Sequence, residues 1–193
     1  LVTCEAYKVP ATLVLSKADL QEPQALAEFR AVYESAGYRV LTVSTATGEG
    51  VGEVRELLQG RTTLVSGNSG VGKSTLVRAI DPALDIRTGE ISESHGKGRH
   101  TTTFSTMYPL AGGGAVIDTP GIKGFGLIDI GEGELWHYFP EMMRTGRDCR
   151  FYNCTHTHEP GCAVTAAVMR GEIAPMRYES YLKMLDDDDK YRK

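Results

Sequence analysis

An α/β domain on a mainly parallel sheet, followed by a small metal-stapled helical tail, is the fold class this sequence predicts, and three observations predict it. Short apolar runs alternate with helix-like runs over residues 11–80, the pattern of strands linked by crossover helices. A glycine-rich phosphate-loop signature lies between one such strand and one such helix. Three cysteines and two histidines crowd into residues 149–162, ahead of two amphipathic stretches.

Residues 11–15 (ATLVL) are apolar and partly β-branched and end at Ser16, which reads as a buried strand. Pro23 opens a stretch whose apolar positions recur at helical spacing until Gly37 stops it. A second strand is expected over 38–43, then a glycine-containing turn over 44–50, a helix over 51–58 and a third strand over 62–66. Residues 87–103 are polar, contain glycine and lack periodicity, so they read as a long functional loop. Two more strands are expected at 104–108 and 115–117. From about Trp136 the pattern becomes a Cys/His loop followed by helical stretches at 164–170 and 175–185. These changes predict one domain over 1–135 and a zinc-binding helical subdomain over 136–193.

A chain of 193 residues has room for one good core and a small appendage. Its net charge of −4 provides no global basic field, so an RNA partner must be met through a local patch. No apolar run approaches the roughly 20 residues of a membrane helix, and no charged-then-apolar leader opens the chain. A cytoplasmic monomer with no membrane partner is expected. The chain starts at Leu1, in what reads as the middle of an element, so a missing N-terminal portion is expected as well.

Gly67, Asn68, Ser69, Gly70, Val71, Gly72, Lys73, Ser74 and Thr75 satisfy G-x-x-x-x-G-K-[ST] between an apolar strand and a helix. Such a loop aims successive N–H groups inward, and the following helix adds its positive end, so phosphate anions are cradled. Lys73 is then the catalytic cation reaching the β- and γ-phosphates, and Ser74 supplies a hydroxyl to Mg²⁺. Asp118 to Gly121 reads DTPG directly after an apolar strand. In that D-x-x-G element the Asp holds Mg²⁺ through water and the Gly N–H meets the γ-phosphate. Between the two motifs lies GRHTTT at 98–103, where a threonine, taken as Thr102, completes Mg²⁺ coordination when the γ-phosphate is present. Upstream, Ser16, Lys17 and Asp19 end the first strand in the manner of the guanine-reading N-K-x-D element. The Asp accepts from two donors on guanine's ring edge that adenine lacks, and the Lys stem lies along the base. Ser stands in the Asn position, which leaves guanine specificity open. Ser44, Thr45 and Ala46, after the next strand, form the last base-side loop.

Cys149, Cys154 and Cys162 with His156 make a closed three-thiolate, one-imidazole shell, the ligand set of structural zinc; His158 competes by position. Lys97, Arg99 and His100, with Arg144, Arg147 and Arg150 beside the knot, are candidates for a local RNA-facing patch, though such charges are often only a solvated face.

The order of these motifs is informative: base-reading elements first, phosphate elements second. The arrangement SKAD, STATGEG, GNSGVGKST, GRHTTT, DTPG and then a Cys/His knot resembles the circularly permuted small-ribosomal-subunit biogenesis GTPases over nearly the whole chain. The resemblance implies a Ras-like P-loop GTPase domain in permuted order. It implies GTP and GDP as ligands with Mg²⁺ and Zn²⁺, and the small ribosomal subunit and its rRNA as partners. His156 rather than His158 becomes the zinc ligand. Ile122 stands where Ras-like enzymes carry the water-orienting Gln, so slow turnover stimulated by the subunit is implied, with His100 as the candidate water-orienting residue. Family members also carry an N-terminal RNA-binding β-barrel and a strand and helix ahead of the guanine-reading strand. On that basis Leu1–Lys8 would be the tail of the preceding helix, and the sheet would have a gap beside the phosphate-loop strand. Two other readings compete: a P-loop ATPase or kinase with a zinc lid, supported by Ser16, and a non-catalytic RNA-binding assembly platform.

Overall fold

The computed structural model describes residues 1–84, 106–118, 130–131 and 133–191, with Asp118 and residues 187–191 described by their backbone alone. Along the chain run α1 (Val2–Ala6), β1 (Thr12–Ser16), α2 (Pro23–Ala36), β2 (Arg39–Val43), α3 (Val51–Leu58), β3 (Thr62–Val65) and α4 (Lys73–Ile80). The antiparallel pair β4 (Thr106–Pro109) and β5 (Ala115–Asp118) follows, and then the helices α5 (Pro140–Thr145), α6 (Ala163–Met169) and α7 (Pro175–Tyr191). Proline begins α2, where its missing N–H costs no helical bond. Gly37, at φ +108°, ends that helix.

Among the described residues the strands form two ladders rather than one sheet: β1 with β2, and β3–β5–β4. In the second, β3 runs parallel to β5, with Val65 opposite Asp118 and Thr63 opposite Val116. The expectation of a mainly parallel sheet holds for this pair and fails for β4, which is antiparallel to β5. Only the short turn after Leu110 joins β4 to β5, and a turn that short can only reverse the chain.

The chain divides into two compact units, neither continuous in sequence. One holds Val14–Leu26 and Leu41–Gly124. Its core is Leu41 and Val43 of β2, Val51, Val54 and Leu58 of α3, Leu76, Val77 and Ile80 of α4, and Val116 of β5. Arg55 fastens α3 to α4 by donating to the Ile80 and Ala79 carbonyls, each at 3.1 Å, acceptors that a helix end leaves without an intrahelical partner. The other unit holds Leu1–Leu13, Ala27–Val40 and Phe125–Lys193. Its core includes Val2, Leu135, Phe139, Met142, Val164, Ala167, Ile173 and Tyr181, together with Cys154 and Cys162. Compactness therefore groups α1 and most of α2 with the C-terminal helices, a grouping a single cut along the chain does not produce.

Within this second unit Arg177 and Glu141, both buried, form a two-point ion pair at 2.6 and 3.3 Å. The guanidinium also lies 4.8 Å from the Phe139 ring centroid and 5.6 Å from those of Tyr33 and Tyr38. The pair satisfies both charges inside the core, and the ring faces add attraction to a weakly hydrated cation.

Candidate nucleotide site and metal cluster

Two parallel strands bring two phosphate motifs to one edge. Residue 66 follows β3 and opens the phosphate loop; Asp118 ends β5 opposite Val65, so the DTPG run starts beside the same loop. Carboxyl ends of parallel strands are where α/β folds place ligands. Within the loop Gly70 (φ +78°) and Gly72 (φ +96°) occupy the left-handed region, which lets the backbone reverse before α4 starts at Lys73. Lys73 and Ser74 are buried at the first turn of α4, whereas Thr75, Asn68 and Ser69 are exposed. The Lys73 ammonium donates to the carbonyls of Gly67 (2.7 Å) and Asn68 (2.8 Å), which holds the cation over the loop.

The run over residues 16–19, expected to read the base, reaches the same loop from far away in sequence. Ser16 Oγ donates to the Val71 carbonyl at 2.7 Å, and Lys17 Nζ donates to the Gly70 carbonyl at 2.8 Å. Lys17 takes a left-handed backbone (φ +57°), which turns the chain from β1 into the short 3₁₀ turn Ala18–Leu20 carrying Asp19. Asp19 Oδ1 accepts from the fully buried Ser44 hydroxyl at 2.5 Å, which leaves Oδ2 outside that bond. Ser44 Oγ accepts in turn from the Thr47 N–H, and the turn through Thr45 and Ala46 is closed by Gly48 N–H on the Ser44 carbonyl. The Gly50 position that ends this loop excludes any side chain: a Cβ there would collide with the Thr42 carbonyl, and its φ is +70°. Residues 16–19, 44–50 and 67–74, three separate stretches of sequence, are thus hydrogen-bonded into one constellation. His100, Thr102 and Gly121 lie outside the described residues, as do Lys97, Arg99 and Ile122, and the same holds for the Asp118 side chain.

The second constellation is the Cys/His cluster. Ligand atoms of Cys149, Cys154, His156 and Cys162 lie within 4.8 Å of one another. His156 Nδ1 is 3.5 Å from Cys149 Sγ and 3.4 Å from Cys162 Sγ, and those two sulfurs are 3.9 Å apart. A tetrahedron with zinc bond lengths of about 2.3 Å to sulfur and about 2.0 Å to nitrogen has edges of about 3.8 Å and about 3.5 Å. The residues fit zinc. Burial lowers the His156 pKa, which keeps the imidazole neutral and able to ligate, and burial pushes the Cys154 thiol up to about 12. Two of the three sulfurs, those of Cys154 and Cys162, are buried together with His156, and a converging set of three sulfurs and one imidazole is the donor chemistry of a metal site. His156 Nε2 is buried without a hydrogen-bond partner, so no second bond orients the ring, and Nδ1 is the nitrogen offered to the sulfurs. His158 is exposed and its Nδ1 pairs with the Thr157 hydroxyl.

The surroundings of the cluster were not legible in advance. Ala163 N–H lies 3.3 Å from Cys149 Sγ and Thr165 N–H 3.4 Å from Cys162 Sγ, so the start of α6 donates to the sulfurs. Tyr178 and Tyr181 of α7 donate to the carbonyls of His156 and Thr155, each at 2.6 Å. Glu159 accepts from the Thr155 hydroxyl and from the backbone N–H groups of Thr155, Thr157 and His158. Burial works against its charge, but these donors hold its carboxyl well below the usual range. An i, i+3 tyrosine pair on a helix is the one sequence signal that could have pointed here. Arg144 is exposed, as a surface charge would be, but its guanidinium also donates to the carbonyls of Ser35 (3.0 Å) and Ala36 (3.3 Å) at the end of α2, a capping role.

The model of the RsgA GTPase family matches residues 1–128. The chain is 52% identical over 198 residues to the "Small ribosomal subunit biogenesis GTPase RsgA" of Porphyromonas gingivalis, covering 100% of this chain and 63% of that protein. It is 51% identical over 197 residues to the protein of the same name from Bacteroides fragilis, covering 100% of this chain and 64% of that one. Among solved structures it is similar to YjeQ from Thermotoga maritima, at TM-score 0.78 and 38% identity over 96% of this chain and 62% of that chain. It is also similar to YloQ, described as a circularly permuted GTPase, at TM-score 0.75 and 30% identity over 100% of this chain and 62% of that one. The chain therefore spans somewhat less than two thirds of the length of the relatives it matches.

Proposed function

The chain belongs to the RsgA GTPase family, and from that premise we propose that it binds GTP, hydrolyses it to GDP and phosphate, and serves maturation of the small ribosomal subunit. The observation that carries the reading is the pair of bonds from Ser16 to Val71 and from Lys17 to Gly70, which joins a base-reading run to a phosphate loop in permuted order. Ser16 in place of Asn was the support for an ATPase or kinase. Its hydroxyl bonds the phosphate loop, and the base-reading task then falls to Asp19, which favours guanine.

Lys73, with the N–H groups of 67–74, neutralises charge developing on the β- and γ-phosphates. Ser74, Asp118 and Thr102 would hold Mg²⁺, which when bound supplies further neutralisation of those oxygens. An isoleucine at 122 cannot orient the attacking water, so intrinsic turnover is slow, and His100 orients the water once the subunit is engaged. Cys149, Cys154, His156 and Cys162 would hold Zn²⁺ in a closed, structural shell. In this reading the nucleotide elements fall within residues 1–135, the metal-binding part within 136–193, and the protein works in the cytoplasm as a monomer against rRNA.

Competition of unlabelled GTP and ATP for a bound fluorescent guanine nucleotide tests the base reading, and displacement by both equally would refute it. Phosphate release with and without small subunits tests the rest: stimulation by subunits is expected, and no release in either condition would favour a non-catalytic assembly platform.

A further inference from the structure

Between the metal ligands Cys149 and Cys154 lie only four residues, Arg150 to Asn153. Both flanks are fixed: Cys149 and Cys154 belong to the cluster, Arg150 N–H donates to the Gly161 carbonyl at 3.3 Å, and Cys154 N–H donates to the Phe151 carbonyl at 3.3 Å. The Arg150 side chain lies along Gly161, where a Cβ would stand 3.4 Å from Arg150 Cβ and 3.5 Å from its Cδ. Its guanidinium is 5.4 Å from the Phe151 ring centroid. Phe151 is 39% exposed, and Tyr152 is 99% exposed. A side chain left wholly in water contributes nothing to the core, yet here an aromatic ring is presented on backbone held at both ends by metal ligands.

The neighbourhood decides what such a ring receives. Residues 144–153 contain three arginines against one aspartate, in a chain whose total is −4. Arg147 and Arg150 are exposed, and Asn153, Thr155 and Thr157 beside them are polar and exposed. A protein hot spot sits in a well-packed, desolvated pocket ringed by contacts that exclude water, and Tyr152 has no such pocket around it. A guanidinium in cation–π range of one ring, a second exposed ring and a local positive charge are instead the chemistry that takes unpaired bases and their phosphates.

We propose that Arg150, Phe151 and Tyr152 form a stacking platform for single-stranded RNA, with bases on Tyr152 and on the Arg150 plane and with Arg147 and Arg150 meeting phosphates. The platform deepens the proposed partnership with the small subunit and rests on that reading only for the source of the strand.

Fluorescence anisotropy of labelled oligouridylate and oligoadenylate, titrated with the zinc-loaded chain, tests it. Loss of one stacking ring weakens binding by about 5- to 160-fold in Tyr152→Ala, while Tyr152→Phe and Tyr152→Trp, which keep a stacking face, stay within about twofold of the parent. Arg150→Gln lowers the salt dependence by about 0.7 in the log–log slope. An RNA duplex of the same length, whose bases are hidden, competes poorly. The idea is overturned if Tyr152→Ala binds as the parent does with its zinc retained, if Tyr152→Phe loses as much as Tyr152→Ala, or if the duplex competes equally. It is also overturned if Tyr152 matters for binding intact small subunits but not for binding the oligonucleotides, since a protein would then be the partner. Calorimetry of GDP on the same preparation separates this platform from the GTPase reading. Tyr152-dependent oligonucleotide binding in a chain that takes no guanine nucleotide leaves the platform standing and removes the GTPase. Guanine-nucleotide binding alongside Tyr152-independent oligonucleotide binding does the reverse.

Discussion

Replacing Ser16 by alanine removes one hydroxyl and one bond, the 2.7 Å contact to the Val71 carbonyl. That bond runs between two parts of the protein itself, so its loss acts through preorganisation: the phosphate loop gains conformations in which Gly70 and Val71 are out of place. A neutral hydrogen bond contributes about 0.5–1.5 kcal/mol net, which caps the loss of the binding-competent population at about 2- to 12-fold. Apparent affinity falls by the same factor, because it scales with the competent fraction. Lys17 holds the adjacent Gly70 carbonyl at 2.8 Å and keeps part of the alignment, so the effect belongs toward the lower end. Calorimetric titration of GDP and of GTP into Ser16→Ala reads it directly, and Ser16→Thr, which keeps the hydroxyl on a strand end that suits β-branched residues, is expected within about twofold of the parent. Equal affinity in Ser16→Ala, or a loss beyond about 100-fold, would show that the serine either does nothing in binding or touches the nucleotide itself.

Removing the metal reaches further. Structural zinc supplies on the order of 10 kcal/mol to small metal-folded segments, comparable with the whole stability of a domain, so chelation should unfold the unit around the cluster. The sole tryptophan, Trp136, whose ring centroid is 4.7 Å from that of His156, reports this by fluorescence; full metal retention in the double variant Cys154→Ser/Cys162→Ser would contradict the ligand assignment. Arg177→Ala should cost about 3–5 kcal/mol in urea denaturation by stranding Glu141 in the core, and Arg177→Met combined with Glu141→Leu should cost clearly less. For His100→Ala, single-turnover rates with small subunits are expected to drop about 100-fold, and an unchanged stimulated rate would remove the residue from the mechanism.

Most of the fold was legible because the chain punctuates its elements. Proline at 23 and glycine at 37 bracket α2 within a residue of the expected bounds, and the helix over 51–58 is found where its spacing placed it. The Cys/His cluster was legible because three thiols and nearby imidazoles within fourteen residues have few other uses, while the choice of His156 over His158 came from the family resemblance. What could not be read was whatever depends on distant contacts. Arg144 looked like surface charge, yet its acceptors are more than a hundred positions away. The pairing of Arg177 with Glu141 leaves no periodic trace, since each residue sits in a helix whose pattern is satisfied without it. The antiparallel course of β4 escaped notice because a four-residue strand carries no directional signal; only the reversal after Leu110 imposes it.

Permutation explains why the local motifs survive while their order changes. A nucleotide site of this kind needs loops at strand ends held against one another, and the bonds that hold them run through backbone carbonyls of Gly70 and Val71, indifferent to which segment the chain visits first. Order does change what lies between the loops. Residues 27–40 leave one base-reading loop at 16–19 and return to the other at 44–50, and in between they pack in the unit that contains the metal cluster. There Tyr33 and Tyr38 flank the Arg177 guanidinium, and Arg144 caps α2 through Ser35 and Ala36. Helix α7, which supplies Arg177, also supplies the two tyrosines that pin the metal loop. The residues between 16–19 and 44–50 thus carry Tyr33, Ser35, Ala36 and Tyr38 into the contacts of Arg177 and Arg144 within that unit.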